Sequence, residues 1–326
     1  MSDYVAPWWL PDGHSQTVFP AFFVSTDSLS YQRERWATPD QDFIDLDWVN
    51  DTPQQIANHA PLLVLFHGLE GSSHSHYARA LMHAVTAWGW LGVVPHFRSC
   101  SGEINAAPRF YHSGDATEID WILQALHQRH PQRPIYVVGV SLGGNALLRF
   151  LGETGRQSTC VHAAAAISAP LDLNASGNAL SSGWNLLYTY AFLRSLKRKC
   201  LEKLNQYPGL FDRQAMLSSH TLYAFDNVVT APLHGYRDVQ DYWQRASCLN
   251  VLSNIRVPTL ILNARNDPFL PGKYLPAAKN VSSSVVLQQP KQGGHVGFLH
   301  GRFPGQLDWL PQYLYQFFQG ENAYMN

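Results

Sequence analysis

The segment PIYVVGVSLGGNALLRFLGE, residues 134–153, restricts the possible folds more than any other. The unbroken apolar run at 134–140 reads as a strand buried on both faces, and such strands belong to parallel sheets covered by helices. LGGNALLRFLGE (142–153) then has helical spacing. Ser141 falls at the turn between them, at the C-terminal edge of the sheet, where open α/β folds bind ligands. Gly139 and Gly143 let the chain turn tightly and the helix pack close, as a nucleophile elbow of the form Gly-x-Ser-x-Gly requires. The same glycines fit the spacing of a phosphate-binding loop from Gly139 to Gly144. That loop next needs lysine and a hydroxyl residue; Asn145 and Ala146 stand there instead, which removes the charge a phosphate would need.

The remaining chain repeats the alternation. PLLVLF (61–66), LGVVPHF (91–97) and VHAAAAIS (161–168) read as strands, and HYARALMHAVTAW (76–88) and GDATEIDWILQALHQRH (114–130) as helices. FIDLDWV (43–49) alternates apolar with polar, like a half-exposed antiparallel strand. Residues 1–40 read as irregular. Residues 172–247 carry helices and loops but no strand. The alternation resumes at VPTLILNA (257–264) and SSVVLQQ (283–289) and closes with a helix near 305–319. The pattern implies α/β architecture over residues 1–326: one domain, a mainly parallel sheet with helices on both faces, and a helical cap inserted at 172–247.

Composition narrows the function. The formal net charge is -1 over 326 residues with no basic stripe, which argues against nucleic acid as a partner. Cys100, Cys160, Cys200 and Cys248 are widely spaced, without a Cys-x-x-Cys pair, so neither a zinc ribbon nor a disulfide framework is expected. The opening MSDYVAPWWLPDGHSQ has no signal-peptide character, and no run approaches the ~18 apolar residues of a membrane span. The expectation is a cytoplasmic protein.

A serine hydroxyl needs a base, and the base needs an orienting acid. In the order serine, acid, histidine, the best acid is Asp267, in the turn RNDPFLP after the strand 257–264. The best base is His295, in GGHVGF after the strand 283–289. Asp226 and Asp238 are weaker acids because they lie in the insertion; His300 is the weaker base because it lacks the paired glycines Gly293 and Gly294. Oxyanion donors are expected from the backbone of Leu142, at the helix start, and of Leu69, in FHGLEGSS after the first buried strand. His67 reads as a structural histidine holding that loop, and Glu70 as a loop carboxylate. His67, His74 and His76 lack the companions of a metal site, so no metal and no other cofactor is expected. In the insertion, Trp184, Leu187, Tyr188 and Phe192 form an apolar helix face expected to touch an acyl chain.

HGLEGSSHSHYARAL, RFYHSGDATEID, GVSLGGNALLRFLGE, FDNVVTAPLHGYRDVQDYW, GGHVGF and the opening GHSQTVFPAFF together resemble the YheT-like branch of the α/β-hydrolase superfamily, over about residues 7–318. The resemblance implies a carboxylic ester hydrolase whose triad matches Ser141, Asp267 and His295. The substrate expected from it is a small-molecule ester, lipid-like esters included. Two other uses of the same site are an acyltransferase with the same acyl-enzyme and an idle hydrolase fold that only binds. The segment around Gln16 is expected to pack on the sheet.

Overall fold

A computed structural model describes residues 4–24, 29–50, 59–157 and 160–320. Its centre is an eight-stranded sheet in the order β1-β2-β4-β3-β5-β6-β7-β8. The strands are β1 (Gln32–Ala37), β2 (Phe43–Val49), β3 (Leu62–Phe66), β4 (Leu91–Pro95), β5 (Ile135–Val140), β6 (Ala163–Ile167), β7 (Thr259–Leu262) and β8 (Val285–Gln288). β1 and β2 pair antiparallel with each other, and β2 pairs antiparallel with β4. All other pairings are parallel.

Successive side chains of a strand point to opposite faces. Leu62, Val64 and Phe66 therefore join one core, with residues of α3 (Ala116–Arg129) and α4 (Leu142–Thr154). Leu63 and Leu65 join the other, with α2 (His76–Ala87) and α10 (Trp309–Phe318). This double burial explains why β3 and β5 read as continuous apolar runs.

The described residues of 4–40 are not all irregular. Asp12 caps helix α1 (Gly13–Phe23) by accepting the His14 and Ser15 amides. β1 is an edge strand whose period-2 signal is charge rather than apolarity. Its Arg33 and Arg35 stand opposite Asp47 and Asp45 in register and pair with them, each at 2.7 Å. Consequently β2 is not half-exposed: Asp45 and Asp47 are both buried. Burial raises the Asp47 carboxyl, but hydrogen bonds from Arg33, His96 and Ser73 outweigh it and hold it well below the usual carboxylate range.

Between β6 and β7 the chain leaves the sheet through α5 (Leu173–Leu180), α6 (Leu186–Gln206), α7 (Arg213–Ser218), α8 (Leu222–Phe225), a π-helical turn (Asp226–Thr230) and α9 (Val239–Ala246). Asn145 ties the end of this excursion to the start of α4. It donates to the carbonyls of Ser113 and Ala246 and accepts from the Cys248 amide. The residue that disqualifies a phosphate loop is thus a fully buried fastener.

Candidate active site

At the end of β5 the backbone turns through Ser141 with φ 52° and ψ -120°, a left-handed conformation that a non-glycine residue adopts only under constraint. The constraint comes from its neighbours. A Cβ on Gly139 would lie 2.5 Å from the Gly143 carbonyl oxygen. One on Gly143 would lie 2.5 Å from the carbonyl oxygens of Phe66 and His67. Both glycines allow α4 to start against β3 and β5 with no space between.

The three expected side chains converge. Ser141 Oγ lies 3.0 Å from His295 Nε2, and His295 Nδ1 lies 2.9 Å from Asp267 Oδ2. With Nδ1–H donated to the carboxylate, Nε2 is left to accept the serine proton. Asp267 is fixed from the other side by the Phe269 amide, which donates to Oδ1 at 2.7 Å. The Phe269 ring stacks on the His295 imidazole, with centroids 4.0 Å apart. The rival residues lie elsewhere. His300 pairs with Asp308, Asp238 caps α9, and Asp226 bonds Thr230 and Trp243.

Neither the Leu69 nor the Leu142 amide has a backbone acceptor among the described residues. The Gly68 carbonyl accepts from His67 Nδ1–H at 2.8 Å and from the Gly71 amide at 2.9 Å. A trans peptide points its carbonyl and N–H in opposite directions, so this grip turns the Leu69 N–H the other way. His67 Nε2 accepts the Phe97 amide at 3.1 Å, which makes the ring a neutral, structural spacer. Burial pushes His67 down to about 3, and burial likewise pushes His76 down to about 4 and His112 to about 3. Groups held neutral this way stabilise the fold above their unfolded value and lose that contribution as pH falls. The denaturation midpoint should therefore begin to drop below about pH 6.5 and drop more steeply below about pH 4, where Asp47 takes up a proton in the unfolded chain but not in the fold. Urea melts between pH 8 and 3 read this directly; a midpoint flat down to pH 4 would contradict the histidine assignment.

Glu70 is a loop carboxylate. It pairs with Lys199 of α6 at 2.7 Å and also accepts from Ser195 and from Tyr111, tying the oxyanion loop to the excursion. His67, His74 and His76 do not converge, and no group of three or more potential metal ligands occurs among the described residues.

The N-terminal segment does more than pack on the sheet. Gln16 Oε1 accepts the Gly293 amide at 2.8 Å and Asn266 Nδ2 at 2.9 Å, and Thr17 Oγ1 accepts the His295 amide at 2.8 Å. Helix α1 thus clamps the loops that carry both the histidine and the aspartate. In the sequence Gln16 and Thr17 merely close the polar run 12–17, and nothing local marks them as buried. Gln16→Leu leaves two buried donors unpaired, which costs about 1–3 kcal/mol each at most. The variant should lose both stability and ester turnover, by about tenfold or more, as measured by urea melts and kcat/KM; unchanged values would remove α1 from the site.

Ser141, Leu142, Leu69 and His295 line one cavity, with about 1100 Å³ of empty space including its open mouth. Phe192 lines it too, and Tyr188 packs edge-on against Phe269 at 4.9 Å. Trp184 and Leu187 do not belong to this wall: they are 75% and 64% exposed. The apolar face expected on α6 is split between the inside and the outer surface. Among the described residues no helix is long and apolar enough to cross a membrane.

The alpha/beta hydrolase fold family matches residues 61–301. The Escherichia coli protein named "Putative esterase YheT" is 39% identical over 92% of this chain and 91% of its own length. Human phospholipase ABHD3 is 29% identical over 97% of this chain and 78% of its own. Among solved structures, the Pyrococcus furiosus esterase Pf2001 superposes with a TM-score of 0.58 at 16% identity, covering 91% of this chain and 95% of that one. That likeness concerns the fold.

Proposed function

Because the chain belongs to the alpha/beta hydrolase fold family, we propose that it is a serine hydrolase cleaving carboxylic esters through an acyl-enzyme on Ser141. The observation that carries this reading is the continuous hydrogen-bonded chain from Ser141 through His295 to Asp267. Ser141 Oγ attacks the acyl carbon while His295 Nε2 takes its proton. The amides of Leu69 and Leu142 receive the charge that develops on the carbonyl oxygen. His295 returns the proton to the leaving alcohol, then activates water to release the acid. Asp267 stabilises the imidazolium formed in between. The relatives named esterase, phospholipase and monoacylglycerol lipase make esters, lipid esters among them, the natural substrate class to assay.

A fluorophosphonate probe should label Ser141 in the intact protein, and p-nitrophenyl esters should be hydrolysed. Absence of both would end the hydrolase reading. Adding ethanol as competing acceptor separates the alternatives: ethyl ester as the dominant product at low ethanol would favour an acyltransferase.

In this reading residues 172–247 form a cap over the acyl pocket, and Phe192 is its selective wall. Each methylene that loses apolar contact costs up to about 0.8 kcal/mol of transition-state binding. Phe192→Ala should change the octanoate-to-acetate ratio of kcat/KM several-fold, and Trp184→Ala should leave that ratio within about twofold. Equal ratios in both variants would place the acyl chain elsewhere.

A further inference from the structure

The cavity that holds Ser141 carries a charged group that neither ester cleavage nor an ion pair uses, since Glu70 and Lys199 on the same wall pair with each other. Asp226 lines this cavity from the π-helical turn Asp226–Thr230. Such turns are rare and recur at functional positions. Asp226 Oδ1 accepts from Thr230 Oγ1 at 2.6 Å, and Oδ2 accepts from Trp243 Nε1 at 2.9 Å. A carboxylate offers about four acceptor positions, so half of its capacity is left over.

Several other polar groups along the wall are matched, while the Ser176 hydroxyl has no partner. Glu70 is paired with Lys199, and His295 with Asp267. His112 accepts the Gly114 amide, and both ring nitrogens of His234 face the carbonyls of Thr230 and Phe110. Asp226 forms no ion pair among the described residues, and its surroundings include Phe225, Val229 and Leu233. It keeps some accessible surface and stands among the residues that line the cavity. Burial pushes its carboxyl up to about 6, against the hydrogen bonds from Thr230 and Trp243. An ionised carboxylate in an apolar enclosure is unfavourable unless donors reach it.

We propose that Asp226 is a specificity residue that recognises a hydrogen-bond donor, a hydroxyl or an ammonium group, carried on the chain of the ester substrate. This deepens the ester-hydrolase reading and rests on it. A plain alkyl tail reaching Asp226 would displace solvent and supply no donor. A tail bearing a hydroxyl or ammonium satisfies the spare acceptor positions. Sites built around a buried hydrogen-bonding group reject the analogue that lacks its partner far more strongly than apolar pockets reject an extra methylene.

The test uses p-nitrophenyl esters of six-, eight- and ten-carbon acids, each ending in methyl, hydroxyl or ammonium. The readout is the ratio of kcat/KM between the polar-ended and methyl-ended ester of equal length, so a general loss of active enzyme cancels. In the wild type this ratio should reach about tenfold or more at one length at least. Asp226→Leu should reverse it. Asp226→Asn should retain part of a hydroxyl preference and lose an ammonium preference, which tells the two donors apart. A wild-type ratio below about two at every length, or a ratio unchanged in both variants, overturns the proposal. Turnover of p-nitrophenyl acetate by the wild type reports separately on the hydrolase reading. Should that fail, calorimetric titration of the wild type with 1-octanol, 1,8-octanediol and 8-amino-1-octanol still decides: equal binding of all three overturns the role of Asp226.

Discussion

Ser141→Ala should lower kcat/KM for p-nitrophenyl butyrate by at least about 10³-fold and abolish fluorophosphonate labelling. The alanine has no nucleophile for His295 to activate, and only the oxyanion donors and substrate binding would remain. Stability should hardly move, because alanine inherits the same left-handed backbone at φ 52°. Ser141→Gly makes the complementary point. Non-glycine residues in such sparsely populated backbone regions store about 1–3 kcal/mol. Glycine adopts that conformation freely, so this variant should be equally inactive yet unfold at a higher urea concentration. An inactive variant that is also destabilised would mean the strain at the elbow is not released there.

The largest stability effect should come from Arg98→Met, in the loop after β4. Arg98 is 4% exposed and pairs with Asp40, Asp42 and Glu118 at 2.9, 2.7 and 2.6 Å. Removing one partner of a buried ion pair leaves uncompensated charge and typically costs about 3–5 kcal/mol. Glu118 softens the loss. Burial, helped by the neighbouring Asp115, already pushes it up to about 7, so it can take up a proton once the guanidinium is gone. Asp42 has no such escape, since hydrogen bonds from Asn105, Phe43 and Ala106 act with Arg98 to hold it below its ordinary value against burial. Adding Glu118→Gln to Arg98→Met should therefore recover little, whereas adding Asp42→Asn should recover more. Urea melts of the two double variants decide this, and equal recovery would refute the division of roles.

The proposed triad was legible because each member follows an apolar strand. β5 ends at Ser141, β7 lies just before Asp267, and β8 precedes His295, so the sheet itself brings the three loops to one edge. Local signals failed where partnership is long-range. β1 shows no apolar alternation because its exposed Arg33 and Arg35 act by pairing with the buried Asp47 and Asp45 of the next strand. Gln16 and Thr17 look like ordinary polar residues until the loop at 293–295 is folded against them. On α6, periodicity identified an apolar face, but the split between Phe192 inside and Leu187 outside is set by where the excursion docks.

The grip of α1 on the histidine loop spans 277 positions between Gln16 and Gly293. On the ribosome the two partners are made far apart in time. At roughly 5–20 residues per second, the first helix waits about 15–60 s for the loop that it holds. During that interval Gln16 and Thr17 can bond only within their own segment, to the Leu10 and Gly13 carbonyls. A nascent chain stalled before residue 295 lacks the histidine that the proposed mechanism needs as base. In that reading the serine stays unactivated until the loop after the last strand has been made.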